Sequence, residues 1–193
     1  MPNWCNNTVT LEHSDPAMLA RAKAAFLDGK FLNEFIPVPE DLHIVAGSVG
    51  AQGSPEQIAL EAQEKANVEK HGYKNWWDYC VNEWGTKWDV GGDDGYVQDL
   101  NGGLMLTFDS AWAPPTNAYE KLMDMGFRIH ATYFEGGMMF AGDWDNGEDD
   151  YYELGNMSSA EIIEALPEHL DEAYGISEMK AEWEDEEAAD QED

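Results

Sequence analysis

Residues 104–134 read L-M-L-T-F-D-S-A-W-A-P-P-T-N-A-Y-E-K-L-M-D-M-G-F-R-I-H-A-T-Y-F. Leu104 to Phe108 reads as a strand. Ser110-Ala111-Trp112-Ala113-Pro114-Pro115 then makes a rigid corner, because each proline fixes its own φ. Thr116 caps a helix that runs to about Met125, with Ala118, Tyr119, Leu122 and Met123 as its apolar positions and Gly126 at its end. Phe127 to Phe134 alternates as a second strand. The stretch is therefore a strand–helix–strand unit.

A similar start lies upstream. Thr8 to Glu12 alternates and is β-branched, so it predicts a strand. Ser14 or Asp15 then caps a helix with Pro16 in its first turn. Met18, Leu19, Ala22, Ala25 and Phe26 fall at helical spacing, and Gly29 closes the run. Between the two units, Pro37 and Pro39 make Phe31 to Leu42 an extended connection. Residues 46–54 are small and flexible, and Pro55 to Lys70 predicts a polar surface helix stopped by Gly72.

Residues 75–89, N-W-W-D-Y-C-V-N-E-W-G-T-K-W-D, hold four tryptophans. Asn75 as N-cap, with Asp78 reaching back and Gly85 beyond the end, predicts a short helix from about Trp76 to Trp84. Trp77, Val81 and Trp84 share one face, so these residues are expected in the core, with Trp76 off the stripe and partly exposed. Thr86 to Val90 alternates like a strand, and Gly91 to Gly103 reads as an acidic loop.

After the central unit, Gly136-Gly137 is a turn signal and Met138 to Ala141 a returning strand. Asp143 to Asp150 reads as an acidic loop and Tyr151 to Leu154 as a further strand. Residues 158–174 are predicted helical, interrupted by Pro167. Residues 178–193 carry nine acids and one lysine, which predicts a mobile tail or a marginal helix. The elements give an α+β fold with the ferredoxin-like order β-α-β-β-α-β, two helices on one face of an antiparallel sheet. The predicted domain spans 1–155, with a helical insertion at about 31–85, and residues 156–193 form an acidic helical extension.

Four blocks carry a family resemblance: Met1-Pro2-Asn3-Trp4-Cys5-Asn6-Asn7, Phe35-Ile36-Pro37-Val38-Pro39, Trp77 through Trp88, and Ala111-Trp112-Ala113-Pro114-Pro115. Together they resemble the YubB-like ferredoxin-like domain family of phage and plasmid proteins, over roughly residues 1–155. The resemblance implies a bacterial mobile-element origin and the same fold. It supplies no activity and no catalytic residue set, and the extension from about residue 156 looks like an addition to the family pattern. No iron–sulfur cluster is implied, since such clusters need about four Cys ligands and this chain has two cysteines. No cofactor is expected.

Charge bounds the function. The formal net charge is −30, from 40 acidic and 10 basic side chains. Residues 129–193 hold 21 of the acids and one basic residue, Lys180. Such a field repels nucleic acid and anionic membrane and attracts basic protein surfaces. No run of apolar residues is long enough to span a membrane, and Met1-Pro2-Asn3-Trp4 lacks the basic and apolar regions of a secretion signal. A cytoplasmic location in a bacterial host, with reduced thiols, is the expectation.

The chemical motifs are sparse. Cys5 has almost no cationic neighbours in sequence and reads as a buried anchor rather than a nucleophile, with the flanking Asn side chains satisfying backbone groups. The histidines His13, His43, His71, His130 and His169 are scattered, and a His130–Cys80 pair is the one catalytic pairing worth testing in space. Asp143 to Asp150 fails the EF-hand pattern, since Gly147 and Glu148 occupy positions 5 and 6.

The acids therefore form the candidate partner-binding set: Asp143, Asp145, Glu148, Asp149, Asp150, Glu153, Glu161, Glu164, Glu168, Asp171 and Glu172. Helical carboxylates at i, i+3 and i+4 stand about 5–6 Å apart, a spacing that can stand in for phosphates. The expectation is a non-enzymatic accessory protein that binds a basic, nucleic-acid-binding host protein, in the finer version as a DNA-mimic inhibitor of a host or defence complex. The alternatives are a small-molecule binder or enzyme with a pocket on the sheet, and a structural phage protein assembling through its aromatic edge.

Overall fold

β1 (Trp4–Glu12) is the spine of the fold, alternating strictly between buried Cys5, Asn7, Val9 and Leu11 and the residues between them. It pairs antiparallel along its whole length with β3 (Gly103–Ala111) on one side and with β4 (Arg128–Glu135) on the other. β2 (Tyr96–Leu100) adds to β3, and β5 (Phe140–Asp145) and β6 (Glu148–Glu153) add beyond β4. The result is a mixed α+β fold around one open, antiparallel six-stranded sheet of order β2-β3-β1-β4-β5-β6. The computed structural model describes residues 3–190. Met1 and Pro2 of the opening block, and residues 191–193 of the acidic tail, lie outside the described residues.

Helix α1 (Pro16–Leu27) starts as its sequence requires: Asp15 accepts a hydrogen bond from the Ala17 N–H, and Pro16 sits in the first turn. It buries Ala22 and Phe26. Helix α5 (Thr116–Asp124) buries Ala118, Tyr119 and Leu122. Both pack on the face of the sheet that carries Val9, Leu11, Leu106, Tyr133 and Trp144. Gly142 lies opposite Tyr133 in the register, and a Cβ there would stand 2.2 Å from the tyrosine ring. The small residue is what lets the ring lie across the strand.

The segment between the two units is more helical than its prolines suggest. Phe31–Phe35 forms a short helix, α2, and Glu40–Leu42 a 3-10 turn. The tie is Asp89, whose carboxylate accepts the N–H groups of Leu32 and Asn33 at 2.7 and 3.0 Å, and that of Val90. Burial pushes the Asp89 carboxyl pKa up, against the pull of those three donors. Thr86 Oγ1 in turn bridges the backbone N–H and C=O of Ala111. This is why Thr86 to Val90 is not the expected strand: its polar groups serve as caps for other segments. The second strand instead falls at 96–100, inside the stretch read as a loop. Helix α3 (Pro55–His71) is the expected surface helix, with Asn67 its one buried residue. The amide of Asn67 donates to the Asp41 and Lys74 carbonyls and pins it down.

Helix α4 (Trp76–Glu83) has the expected Asn75 cap, which accepts the Asp78 N–H at 3.1 Å. Its buried face is not the expected one. Cys80 and Trp84 are buried, and Trp76, expected to be partly exposed, is half-buried against the same core, while Trp77 is 39% exposed. The two stripes are adjacent on the helix, and Trp84 belongs to both. Packing selects the stripe with Cys80, and Trp84 donates its indole N–H to the buried Ile36 carbonyl at 2.9 Å.

The C-terminal helices α6 (Ser159–Ala165), α7 (Glu168–Tyr174) and α8 (Ile176–Asp190) lie on the other face of the sheet. Ile162, Leu166, Leu170 and Ile176 form a second core with Phe134, Met139, Ala141 and Leu154. The tail expected to be mobile or a marginal helix is thus helical through Asp190. Its apolar residues are few, but they have a sheet to pack against.

Candidate functional site

The acids at 143–150 are not the expected loop, and the strand expected at Tyr151–Leu154 is the end of a longer one. Asn146 and Gly147, at φ 48° and 99°, make a tight reversal of the kind that an Asn-Gly pair favours between strands. β5 and β6 then face each other in register. Asp145 lies opposite Glu148 and Asp143 opposite Asp150, so like charges meet directly across the hairpin. Such pairs oppose folding by a few tenths to about 1 kcal/mol each. The same charges on an edge strand block pairing with another sheet. Asp149 lies on the opposite face, where it accepts the Tyr133 hydroxyl at 2.7 Å. Asp145 accepts the Asn146 amide, and Glu153 is exposed at the end of the strand.

Asp143 is engaged from two sides. His130 of β4 reaches one carboxylate oxygen and His169 of α7 the other, each at 2.8 Å. This clamp joins the sheet to the C-terminal helices. No sequence signal announces it, since it depends on the β4–β5 register and on where α7 docks. It also places His130 on the sheet face opposite Cys80, so the proposed Cys–His pair does not form. Cys5 is fully buried, and burial, with Glu135 beside it, pushes its thiol pKa far up. Cys80 is pushed up to about 12, again mainly by burial. Neither thiol is poised as a nucleophile. Among the described residues no group of three or more His, Cys, Asp or Glu side chains is placed to hold a metal ion.

The helical acids do not form the single stripe that their spacing predicts. Leu166 and Pro167 take extended backbone and separate α6 from α7. Glu161 is spent on the Ser158 capping box, and Asp171 holds the N–H and hydroxyl of Ser177. Of the candidate set, Glu148, Asp150, Glu153, Glu164, Glu168 and Glu172 are exposed and accept no side-chain hydrogen bond within the described residues.

A second surface was missed by sequence reasoning. Trp4, Trp88 and Trp112 are 46%, 39% and 46% exposed at one end of the sheet. The Trp4 and Trp88 rings lie 5.8 Å apart at 39°. The Lys87 ammonium sits 4.5 Å from the Trp88 ring centre and 5.4 Å from that of Trp112. Trp112 holds a left-handed φ of 70°, and its N–H donates to the Asn3 carbonyl. The signals available in sequence were Lys87 next to Trp88 in an alternating stretch and Trp112 in the proline corner, which read equally well as core.

No family model matches the chain, and no curated protein matches it. Among solved structures, the crystal structure of protein api92 from Yersinia pseudotuberculosis, of family DUF1281, aligns with 80% of this chain and 99% of that chain, at 12% identity and a TM-score of 0.41.

Proposed function

We propose that this chain is a non-catalytic binding protein whose acidic surface captures a basic partner protein. The observation that carries this reading is the set of exposed carboxylates on β6, α6 and α7. They stand in a region where Lys180 is the one basic residue after Arg128. Carboxylates that neither cap nor pair within the chain are available to an outside cation, and a field of one sign steers such a partner. The finer version has the acids in place of DNA phosphates, with a nucleic-acid-binding protein of a bacterial host as partner. The YubB-like resemblance supports a phage or plasmid setting for it.

The fold reading that accompanies this is ferredoxin-like at the centre of the sheet. β1 and β2 run parallel with β3 between them, and β3 and β4 run parallel with β1 between them. α1 and α5 lie in the respective connections. That is a pair of interleaved split β-α-β units, to which β5 and β6 add an edge.

The test is a pull-down from bacterial lysate on the immobilised chain, with a salt series and competing duplex DNA. A basic nucleic-acid-binding protein held at low salt and released by both is the expected result. Replacing Glu148, Asp150, Glu153, Glu164, Glu168 and Glu172 by their amides should abolish its capture. Equal capture by that variant, or no salt-sensitive partner at all, sinks the reading.

A further inference from the structure

The geometry points to a guanidinium-binding cleft at the opposite edge of the sheet from the acidic hairpin, built from Trp4, Trp88, Asp94 and Asp109 and suited to an arginine side chain of a basic polypeptide. β2 begins at Tyr96, opposite Thr107, while β3 continues to Ala111. The segment 88–94 runs beside this overhang and leaves a cavity of about 430 Å³ lined by Trp4, Trp88, Asp94, Phe108 and Asp109. The cleft thus has an aromatic wall and a carboxylate wall.

The aromatic wall already receives a cation. Lys87, which does not itself line the cavity, lies over Trp88 of that wall and over Trp112 outside it, both rings left exposed rather than buried. A tryptophan face attracts a cation through its quadrupole. The carboxylates differ in what they have left to give. Asp89 also borders the cavity, but its oxygens are taken by three backbone N–H groups. Asp109 accepts one hydrogen bond, from the Asn6 amide at 2.6 Å, and has no cationic partner among the described residues. Asp94 is exposed and has no side-chain hydrogen bond or ion pair there.

A flat aromatic wall facing acceptors selects the shape of the cation. A guanidinium stacks its plane on the indole and sends its N–H edge to the carboxylates, often in pairs. A compact ammonium can satisfy one wall or the other. An anion is repelled by both. The biological occupant rests on the basic-partner reading above, whereas the chemistry of the cleft does not.

Titration of the full chain with N-acetyl-arginine methylamide, followed by the tryptophan indole N–H signals in NMR, tests the cleft. Saturable shifts of the Trp4 and Trp88 signals are expected, with N-acetyl-lysine methylamide at least about five-fold weaker. Asp94→Asn combined with Asp109→Asn should weaken arginine binding at least about five-fold, and so should Trp88→Ala. The amide variant of the β6, α6 and α7 acids should bind arginine as the parent does, even where it has lost partner capture. Absence of a saturable shift overturns the proposal. So does an equal response to lysine or to methyl glucoside, or undiminished binding by the Asp94/Asp109 variant. Both of those residues are exposed, so that variant tests the cleft without disturbing the core.

Discussion

Two buried side chains show how single residues set stability here. Tyr119 is fully buried against Trp144, and its hydroxyl has no hydrogen-bond partner among the described residues. An unpaired buried hydroxyl costs about 1–3 kcal/mol. Tyr119→Phe removes that cost and keeps the ring, so thermal unfolding should rise by roughly 2–4 °C per kcal/mol recovered in a chain of this size. A fall in melting temperature would show that the hydroxyl is satisfied after all. Asn7 is a mixed case: its Oδ1 is likewise buried with no hydrogen-bond partner among the described residues, while its amide nitrogen is engaged. Its two amide N–H groups are shared among the Cys5 and Phe108 carbonyls and the Ser110 hydroxyl, all within the β1–β3 ladder. Asn7→Ala leaves those acceptors buried and should destabilise by about 1–3 kcal/mol, measurable as a lower denaturant midpoint. The expectation that Asn side chains satisfy backbone groups around Cys5 was legible, because short amides do this at strand starts. That Tyr119 would be left unpaired was not, because it depends on what α5 meets across the sheet.

At the scale of elements, the docking of α6 and α8 is tied to two carboxylates. Glu161 caps its own helix through Ser158, and Glu184 of α8 reaches the N–H and hydroxyl of Ser159 at 3.0 and 2.7 Å. The backbone and hydroxyl donors of Ser158 hold the Glu161 pKa below its ordinary value of 4.5, and the hydroxyl and backbone donors of Ser159 do the same for Glu184. A carboxylate with a lowered folded-state pKa stabilises the folded form above its unfolded value, and that stabilisation is lost as pH falls through the folded value. Hydrogen-exchange protection in α6 and α8, corrected for the intrinsic rate, should therefore hold from neutral pH down to about 4.5 and drop below it. Glu184→Gln should flatten the α8 part of that drop. Unchanged protection down to about pH 3 would mean that the apolar contacts of Ile162 and Ile176 suffice. Caps such as Ser158–Glu161 and Asn75–Asp78 can be read from sequence because both partners lie within one turn. The Glu184–Ser159 tie spans 25 residues and has no local signature.

Across the whole molecule, charge outweighs every other feature of the surface. A net −30 on a chain of this length repels itself, and the opposed acids of β5 and β6 concentrate that repulsion at one edge. The Debye length is about 10 Å at 0.1 M salt and about 3 Å at 1 M. The melting temperature should therefore rise by several degrees from about 20 mM to about 500 mM sodium chloride. The variant with six acids converted to amides should melt higher at low salt and respond less. A parent melting temperature that ignores salt would mean that the acids lie too far apart to repel. It would also weaken the case for a focused acidic surface.

The sequence by itself determined which segments become β1, α1, α3, α4, α5 and β4, since alternation, helical spacing, caps and glycine stops are interactions within a few residues. It also determined the sign of the surface. β2, with glycines on both sides, escaped it, and β5 and β6 were legible only in part, at Met138–Ala141 and Tyr151–Leu154, because their other positions carry charges where a strand reading looks for apolar alternation. Only the tertiary structure decided which tryptophans face water, which acids are spent on caps and clamps, and that His130 and His169 share Asp143. Each of those outcomes depends on strand register and helix docking, which join residues far apart in the chain, and periodicity along the chain does not specify which distant partner a side chain will meet.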